Sequence, residues 1–392
     1  GTAVPVEGKT FMDFRPGMKL SDYINVFIPR YEDSLNNFIM ASHPDRLRMS
    51  QCFVQTQSND KFAKPMTCTT CHNPHLSIET FEADHYRQVC QSCHEPESED
   101  FCSAPIALRE TEKDNCFTCH MPKSGSSDIP HVRITDHFIR KPDAAGNQLK
   151  AQDAAEQKAF FRLACRTQEN PSPELMAEGY LTQYEQFEAL PWLLDSAEAA
   201  MKTALKQTNE AQLLRPLVRL RYLRNDFPFL QGLAQRYSPT QINDAWTAYR
   251  IGEGLNQMGD ATKAIAWLER AAQIAPAHLK FKTKLAAAYM KNESQDKSLN
   301  LLNELAGRYS KDASILNNRG FAFVLSDDYT SAEQDFQKAL ALDPDSEIAM
   351  ANLASLYLNT GKNELAKKYT AELLRRKPEN EGYLRLKKIL GM

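Results

Sequence analysis

Small and large apolar positions recur at a constant spacing in the second half of the chain. The pattern is a repeating unit in which a small residue is followed three positions later by a large one and then by a second small residue. A proline or serine stands near the end of each unit. The series are Gly252, Ala286, Gly320 and Ala354; Leu255, Tyr289, Phe323 and Tyr357; Ala264, Ser298, Ala332 and Ala366; and Pro276, Ser310, Pro344 and Pro378. Small residues let two helices approach closely, and proline ends a helix. The pattern therefore predicts four helix pairs, over 245–278, 279–312, 313–346 and 347–380.

The 34-residue period and this order of small and large positions resemble the tetratricopeptide repeat. The resemblance implies an α-solenoid whose surface binds other proteins. Residues 175–244 also read as helical hairpins, and we interpret them as one or two eroded repeats punctuated by Pro228 and Pro239. The amphipathic segment 381–392 suits a helix that caps the end of the array.

The first part of the chain has a different composition. Eight of the nine cysteines and eight of the nine histidines lie before residue 140, and Lys141–Asn147 has the proline, glycine and asparagine content of a linker. These features predict a domain over 1–140, a linker and connecting helix over 141–174, and a helical-repeat domain over 175–392. The start of the first domain, Gly1–Lys19, reads as extended and strand-like.

Overall composition narrows the function classes only slightly. A formal net charge of −3 on 392 residues, with 42% hydrophobic residues, is typical of a globular chain without a nucleic-acid bias. The sequence contains no run of 18 apolar residues, so it predicts no membrane-spanning helix.

Three Cys-x-x-Cys-His motifs lie within the first domain. They are Cys68-x-x-Cys71-His72, Cys90-x-x-Cys93-His94 and Cys116-x-x-Cys119-His120. This is the attachment signature of c-type haem, in which both cysteines form thioethers and the histidine ligates the iron. A four-cysteine zinc site or a redox dithiol would explain some of the cysteines but neither the third motif nor the histidine after each one. The sequence therefore predicts three covalently bound haems.

Five further histidines are available as sixth ligands to the three irons. They are His43, His75, His85, His131 and His137. His43 precedes Pro44 and can stand at the start of a helix, and His75 lies too close to His72 to reach the far side of the same haem. His137 follows the last motif and is able to fold back over the haems. Methionines such as Met49, Met66 and Met121 are the alternative ligands.

The order of these residues resembles the doubled-CXXCH multihaem cytochromes that are fused to tetratricopeptide repeats. The strings that carry the likeness are His43…Arg46…Met49-Ser50-x-Cys52-Phe53, Cys71-His72-Asn73-Pro74-His75, Cys119-His120-Met121-Pro122-Lys123 and Thr135-Asp136-His137-Phe138-Ile139-Arg140. The resemblance implies an all-α protein with a loop-rich, haem-packed cytochrome c domain followed by an α-solenoid. It also favours His43, His75 and His137 as distal ligands, which leaves His131 as second choice for the haem of His137 and His85 as a propionate partner or surface residue. Many relatives carry further haem motifs upstream, whereas 1–67 has none here.

Several other side chains have a predicted role. Cys52 and Cys102 flank the first two motifs, and we expect them to form a disulfide. Lys123, Arg46 and Arg140 either pair with haem propionates or are ordinary surface charges. Cys165 reads as a buried apolar residue of a helix.

These features favour an electron-transfer cytochrome, not an enzyme. Six-coordinate irons cannot bind a substrate, so the alternative, a periplasmic haem enzyme acting on a nitrogen or sulfur oxyanion, requires one open iron position. Haem is attached outside the cytoplasmic membrane, and we therefore expect a periplasmic or extracellular protein whose signal peptide has been removed.

The repeats are expected to dock redox partners or further copies of the chain, the latter giving a conductive filament. By resemblance, the docking face contains Trp246, Tyr249, Asn317, Phe321, Ile348 and Leu358.

Overall fold

The computed structural model describes residues 2–31, 43–58, 64–81, 83–96, 98, 101–125, 133–142 and 160–392. The chain divides into two compact units. The repeat unit consists of Gly1–Ile28 and Cys165–Met392, and the motif unit consists of Pro29–Ala164. The motif unit contains all three Cys-x-x-Cys-His motifs.

The described secondary structure is mostly helical, with a few short strands. The strands are β1 (Thr2–Pro5), β2 (Ile24–Tyr31), β3 (Lys123–Gly125), β4 (Arg133–Thr135) and β5 (Phe160–Cys165). The helices of the motif unit are α1 (His43–Arg48), α2 (Gln51–Ser58), α3 (Cys68–Cys71), α4 (Ala83–Gln91), α5 (Ile106–Thr111) and α6 (Cys116–His120). The helices of the repeat unit are α7 (Pro173–Gln186), α8 (Pro191–Ala204), α9 (Leu214–Leu223), α10 (Phe227–Arg236), α11 (Ala245–Gln257), α12 (Ala261–Ile274), α13 (Leu279–Lys291), α14 (Gln295–Arg308), α15 (Ala313–Leu325), α16 (Tyr329–Leu342), α17 (Glu347–Asn359), α18 (Asn363–Arg376) and α19 (Glu381–Ile389).

Each of the four 34-residue segments contains two helices that pack on each other. The small positions lie where the helices cross: a Cβ atom on Gly252 would come within 2.9 Å of Leu268 Cγ, and Ala264, Ala332 and Ala366 are fully buried. Ser298 takes the same place in its pair, where its hydroxyl donates to the Ala286 carbonyl at 3.0 Å. The predicted tetratricopeptide-like solenoid is confirmed, because the small residues allow the close approach on which the pattern depends.

The turn inside each helix pair repeats with the same period. In every turn the last-but-one residue has a positive φ. These residues are Asn225 (55°), Gly259 (81°), Glu293 (57°), Asp327 (59°) and Gly361 (73°). The next residue is the N-cap of the following helix, and Asp226, Asp260 and Asp328 accept a backbone N–H with their side chains there. The α9–α10 hairpin is therefore a further repeat in phase with the other four, although its apolar pattern has eroded.

The N-terminal segment packs with the repeats. β1 pairs antiparallel with β2, with Thr2 opposite Phe27 and Pro5 opposite Ile24, and the sheet order is β1-β2-β5. Phe27 is fully buried against Gly179 of α7, where a Cβ atom would lie 2.8 Å from the ring. The hydroxyl of Thr2 also donates to Gln183 of the same helix.

Three expectations differ from this arrangement. Residues 2–28 pack with the repeat helices, whereas the predicted segment 1–140 groups them with the haem motifs. The fold is mostly helical rather than all-α, because the β-branched and aromatic run Ile24–Tyr31 forms a strand. Cys165, expected in a helix, ends strand β5 and is half-buried.

No helix in the described ranges is long and apolar enough to cross a membrane.

Candidate functional site

The three cysteine motifs of the motif unit adopt the same local conformation. The His72 N–H donates to the Cys68 carbonyl and the His94 N–H donates to the Cys90 carbonyl, both at 3.0 Å, and α6 contains the third motif in full. Each motif is thus one turn of helix. This turn places the two thiols about one turn apart and the histidine at its end, as haem attachment requires.

Tyr86 contacts the first and third motifs with its ring and lies on the helix that leads into the second. It lies on α4, one turn before Cys90, with its ring centroid 5.7 Å from that of His72 and 5.7 Å from that of Phe117 in α6. Tyr86 was not among the residues predicted from the sequence. Its position four residues before a motif cysteine, on the same helix, is the signal that places it there.

Three imidazoles meet at the first motif. The ring centroids of His72 and His137 are 6.1 Å apart, and those of His43 and His137 are 4.4 Å apart. Burial lowers the pKa of all three histidines, with the positive neighbouring imidazoles adding to the effect at His72 and His137. Neutral imidazole is the form that ligates metals, so this environment suits iron ligands.

Two histidines have the hydrogen bond typical of metal ligands. Nδ1 of His137 lies 3.0 Å from the Thr135 carbonyl oxygen, and Nδ1 of His120 lies 2.9 Å from the Arg140 carbonyl oxygen. A ligating histidine usually donates its second ring N–H in this way, which fixes the tautomer and leaves Nε2 to the metal.

The remaining histidines are arranged differently. Nε2 of His85 lies 3.1 Å from the Cys71 carbonyl oxygen, and the ring stacks on Phe81 with a centroid distance of 4.5 Å. That contact occupies the nitrogen an iron ligand needs, in keeping with the view of His85 as a spare. His75 and His94 are exposed, and neither ring contacts another imidazole in the part of the chain that the structure describes. His131 lies outside the described residues.

Arg46 and Asp136 form a buried ion pair beside His137. Nε of Arg46 donates to one carboxylate oxygen at 2.8 Å and a terminal nitrogen donates to the other at 2.5 Å. Arg46 is 2% exposed and Asp136 is completely buried. Arg46 therefore pairs with a carboxylate of the chain itself and is not the surface charge that was one of its two predicted roles, whereas the role as a propionate partner stays a prediction. Lys123 is exposed, and the Arg140 guanidinium lies 5.1 Å from the ring centroid of Phe138.

No disulfide joins the described cysteines of the motif unit. Burial raises the pKa of Cys90 to about 12, and it also raises that of Cys71, Cys116 and Cys52. The structure does not contain the expected Cys52–Cys102 disulfide. Cys52 is half-buried near Cys71 and Cys93, whereas Cys102 is exposed near Arg109 and Cys116.

The residues of the motif unit fit covalent haem. Large apolar side chains around the motifs are exposed, namely Val54, Leu76, Ile78, Ile106 and Leu108. These side chains are available to contact a macrocycle. Among the described residues, no group of three or more His, Cys, Asp or Glu side chains is placed to hold a metal ion. A haem iron takes only two ligands from the protein, so paired imidazoles suffice.

The predicted docking face of the repeat unit is partly exposed. Trp246, Phe321 and Ile348 are 37%, 42% and 66% exposed, whereas Tyr249 is buried at 2% and belongs to the core. Asn317 and Leu358 are half-buried, and Asn352 donates to the Asn317 side chain at 2.9 Å. The surface therefore presents aromatic and aliphatic groups from the first helices of three of the four repeats.

Cations lie beside Trp246 on this face. The ammonium of Lys280 lies 5.4 Å from the Trp246 ring centroid, and the guanidinium of Arg250 lies 5.2 Å from it. Arg250 is also paired with Glu185 at 3.3 Å, while Lys280 is exposed. Such a mixture of rings and cations is able to bind an extended chain segment that carries carboxylates.

Comparisons with known proteins concern the repeats. Residues 247–278 and 323–390 match models of the tetratricopeptide repeat, a module for protein–protein interaction. A search of curated proteins finds no match.

Several solved structures resemble the chain in part. PilF of Pseudomonas aeruginosa is 13% identical, with 56% of this chain and 99% of that chain covered and a TM-score of 0.42. A thermophilic TPR protein of Thermus thermophilus is 19% identical, with 55% and 100% covered and a TM-score of 0.37. MamA from Desulfovibrio magneticus, residues 41 to the end, is 18% identical, with 44% and 98% covered and a TM-score of 0.37.

Proposed function

We propose that the protein is a multihaem c-type cytochrome that transfers electrons through three covalently bound haems and docks protein partners through its tetratricopeptide repeats. The observation that carries the proposal is the set of three complete Cys-x-x-Cys-His motifs, each folded as one turn of helix. The covalent linkage implies a periplasmic or extracellular location.

The motif residues have separate roles in this proposal. The six cysteines Cys68, Cys71, Cys90, Cys93, Cys116 and Cys119 form the thioethers, and His72, His94 and His120 are the proximal ligands. His43, His75 and His137 are the distal ligands. When bound, the haems would supply reversible one-electron chemistry.

Electron transfer is favoured over catalysis by the number of imidazoles. Each iron with two histidine ligands has no open position for a substrate, so it can accept and pass on an electron but cannot activate an oxyanion. The hydrogen-bonded Nδ1 atoms of His120 and His137 support this ligation, because they orient Nε2 and increase the basicity of the ring.

The repeats provide the docking function. Their first helices present Trp246, Phe321 and Ile348 to solvent, and the partner is a redox protein or a second copy of this chain. Head-to-tail binding of copies through this face would give a filament where the contacts do not close into a ring.

Haem quantification tests the cofactor proposal. Full-length protein produced with a haem-attachment system should carry three haems per chain by pyridine haemochrome, and all of them should survive denaturing electrophoresis. Replacing both Cys116 and Cys119 by Ala should reduce the count to two, whereas Cys165→Ala, outside the motifs, should leave three. Two or fewer haems in the parent protein would overturn the proposal.

Electron paramagnetic resonance separates the electron carrier from an enzyme. Three low-spin signals are expected for bis-histidine irons. A high-spin signal from one of the three irons in the parent protein would instead indicate an open position and a catalytic haem.

A further inference from the structure

We infer that the buried Arg46–Asp136 ion pair positions His137 opposite His72, so that these two imidazoles form the axial pair of one haem iron. The inference rests on the proposed function, since it assigns the ligands of a haem that the function requires. It adds a specific pairing of histidines and the residues that hold the pairing in place.

The distance between the two rings suits an iron between them. Metal–nitrogen bonds to histidine are about 2.0 Å long, so two imidazoles on opposite sides of one metal have ring centroids roughly 6 Å apart. The centroids of His72 and His137 are 6.1 Å apart. Those of His43 and His137 are only 4.4 Å apart, which is too close for these two rings to share one iron.

The backbone on both sides of His137 is held by the α1–α2 corner. The carboxylate of Asp136 binds Arg46 through both oxygens and also accepts the Phe138 N–H at 2.9 Å. The hydroxyl of Ser50 donates to the His137 carbonyl at 3.2 Å and accepts the Ile139 N–H at 2.8 Å. Residues 136–139 are therefore fixed by side chains that come from a single helical corner.

The side chain of His137 is oriented from a different direction. Its Nδ1 faces the Thr135 carbonyl oxygen at 3.0 Å, so the ring cannot rotate freely and Nε2 is left for a metal. The Asp136 N–H in turn donates to the Pro122 carbonyl at 3.0 Å, two residues after His120. The position of His137 is thus tied both to the α1–α2 corner and to the third motif.

Burial of the ion pair itself requires an explanation. Removing two charges from water costs several kcal/mol per ion, and a buried pair is often no more stabilising than apolar residues of the same volume. The best-supported role of buried ion pairs is to fix one conformation of the residues around them. Here the residue next to Asp136 is His137, a candidate ligand that has to be placed relative to the iron to within a fraction of an ångström.

The experiment uses full-length protein loaded with its three haems. His137→Ala should convert one of the three irons to high spin. Asp136→Asn keeps the size of the side chain and an acceptor for the Phe138 N–H, so the variant should still bind three haems. It should shift the g-values of the iron that His137→Ala affects. It should also shift one of the three reduction potentials. Asp335→Asn is the matched control, because Asp335 is a buried carboxylate that pairs with the partly exposed Arg319 in the repeat unit at 2.6 Å. It should lower the unfolding temperature without changing any haem signal.

Each outcome decides the inference. If Asp136→Asn lowers the unfolding temperature but leaves all haem signals unchanged, the pair is only structural and the inference fails. If the signal altered by Asp136→Asn is still present in His137→Ala, the ion pair does not act through His137 and the inference fails. Should Asp136→Asn not fold, Arg46→Lys keeps the charge but lacks the two-pronged guanidinium, and the same g-value shift is expected from it. Fewer than three haems in the parent protein would refute the proposed function instead.

Discussion

A Cβ atom on Gly320 would lie 2.7 Å from Cε1 of Phe336, so the two helices of this repeat meet at a point where no side chain fits. Phe336 is fully buried and packs with Leu353 and Tyr357 of the next repeat. The contact therefore couples the spacing of one helix pair to the stacking of its neighbour.

Gly320→Ala should lower the free energy of unfolding by about 1–3 kcal/mol, because a methyl group forces the buried Phe336 ring to move. Gly232 is the matched control, since it also lies inside a helix but has no atom within 4 Å of an added Cβ. Gly232→Ala should raise the free energy of unfolding by about 0.5–1 kcal/mol through lower backbone entropy of the unfolded chain. Urea denaturation of the full chain measures both. Equal effects of the two substitutions would show that the helix crossing tolerates a side chain.

The left-handed turn residues provide a second test. Glu293 has a φ of 57° at the position where Gly259 and Gly361 stand in other repeats. A non-glycine residue in this conformation costs roughly 1 kcal/mol. Glu293→Gly should therefore leave stability unchanged or raise the unfolding midpoint, while Gly361→Ala should lower it. A clear loss of stability in Glu293→Gly would mean that its side chain contributes more than its backbone strain costs.

The N-cap of α12, Asp260, should make a pH-dependent contribution to the stability of the protein. It accepts the Lys263 backbone N–H at 3.1 Å and the Lys263 ammonium at 2.7 Å, and the bond to that side chain is the main reason that the pKa of Asp260 is lowered. Asp260→Ala should cost about 0.5–1 kcal/mol at neutral pH, as the loss of a cap usually does. A lowered folded-state pKa means that the stabilisation is present above the unfolded-state pKa and is lost as the pH falls through the folded-state pKa.

The stability difference between the parent protein and Asp260→Ala should accordingly shrink in acid. Asp260→Asn is the control, because asparagine caps a helix but does not titrate, and its stability relative to Asp260→Ala should not depend on pH. Thermal unfolding followed by far-UV circular dichroism at several pH values measures this. A difference between the parent and Asp260→Ala that stays constant into strong acid would show that the charge of Asp260 contributes nothing.

The docking face can be tested with two large apolar positions of nearly equal exposure. Phe321 is 42% exposed on α15, a first helix of its repeat, and Leu365 is 41% exposed on α18, a second helix. Phe321→Glu should weaken partner binding or self-association at least tenfold, because it places a charge at the centre of an apolar contact. Leu365→Glu should have little effect. Sedimentation velocity and pull-downs from the native source measure the two variants. Equal behaviour of both would exclude the first-helix surface as the docking site.

The sequence was most informative where its pattern is local. The small residues Gly252, Ala264 and Gly320 predicted both the number and the positions of the repeat helices, since a 34-residue unit contains its own helix crossing. The same holds for the cysteine motifs, because Cys-x-x-Cys-His needs only one helical turn to place its side chains. The α9–α10 hairpin was harder to recognise, since its large and small positions have eroded and only Asn225 and Asp226 keep the turn chemistry in phase.

Only the tertiary structure shows which residues far apart along the chain contact each other. Arg46 meets Asp136 across 90 residues and Thr2 meets Gln183 across 181, and neither pair shares a motif or a period. Periodicity fixes which face of a helix is buried, but it does not select the segment that covers that face. Which segment covers a given face depends on the complete path of the chain and on the burial of charges. The sequence therefore predicted His137 as a ligand, but the structure was needed to show that its neighbour Asp136 pairs with Arg46.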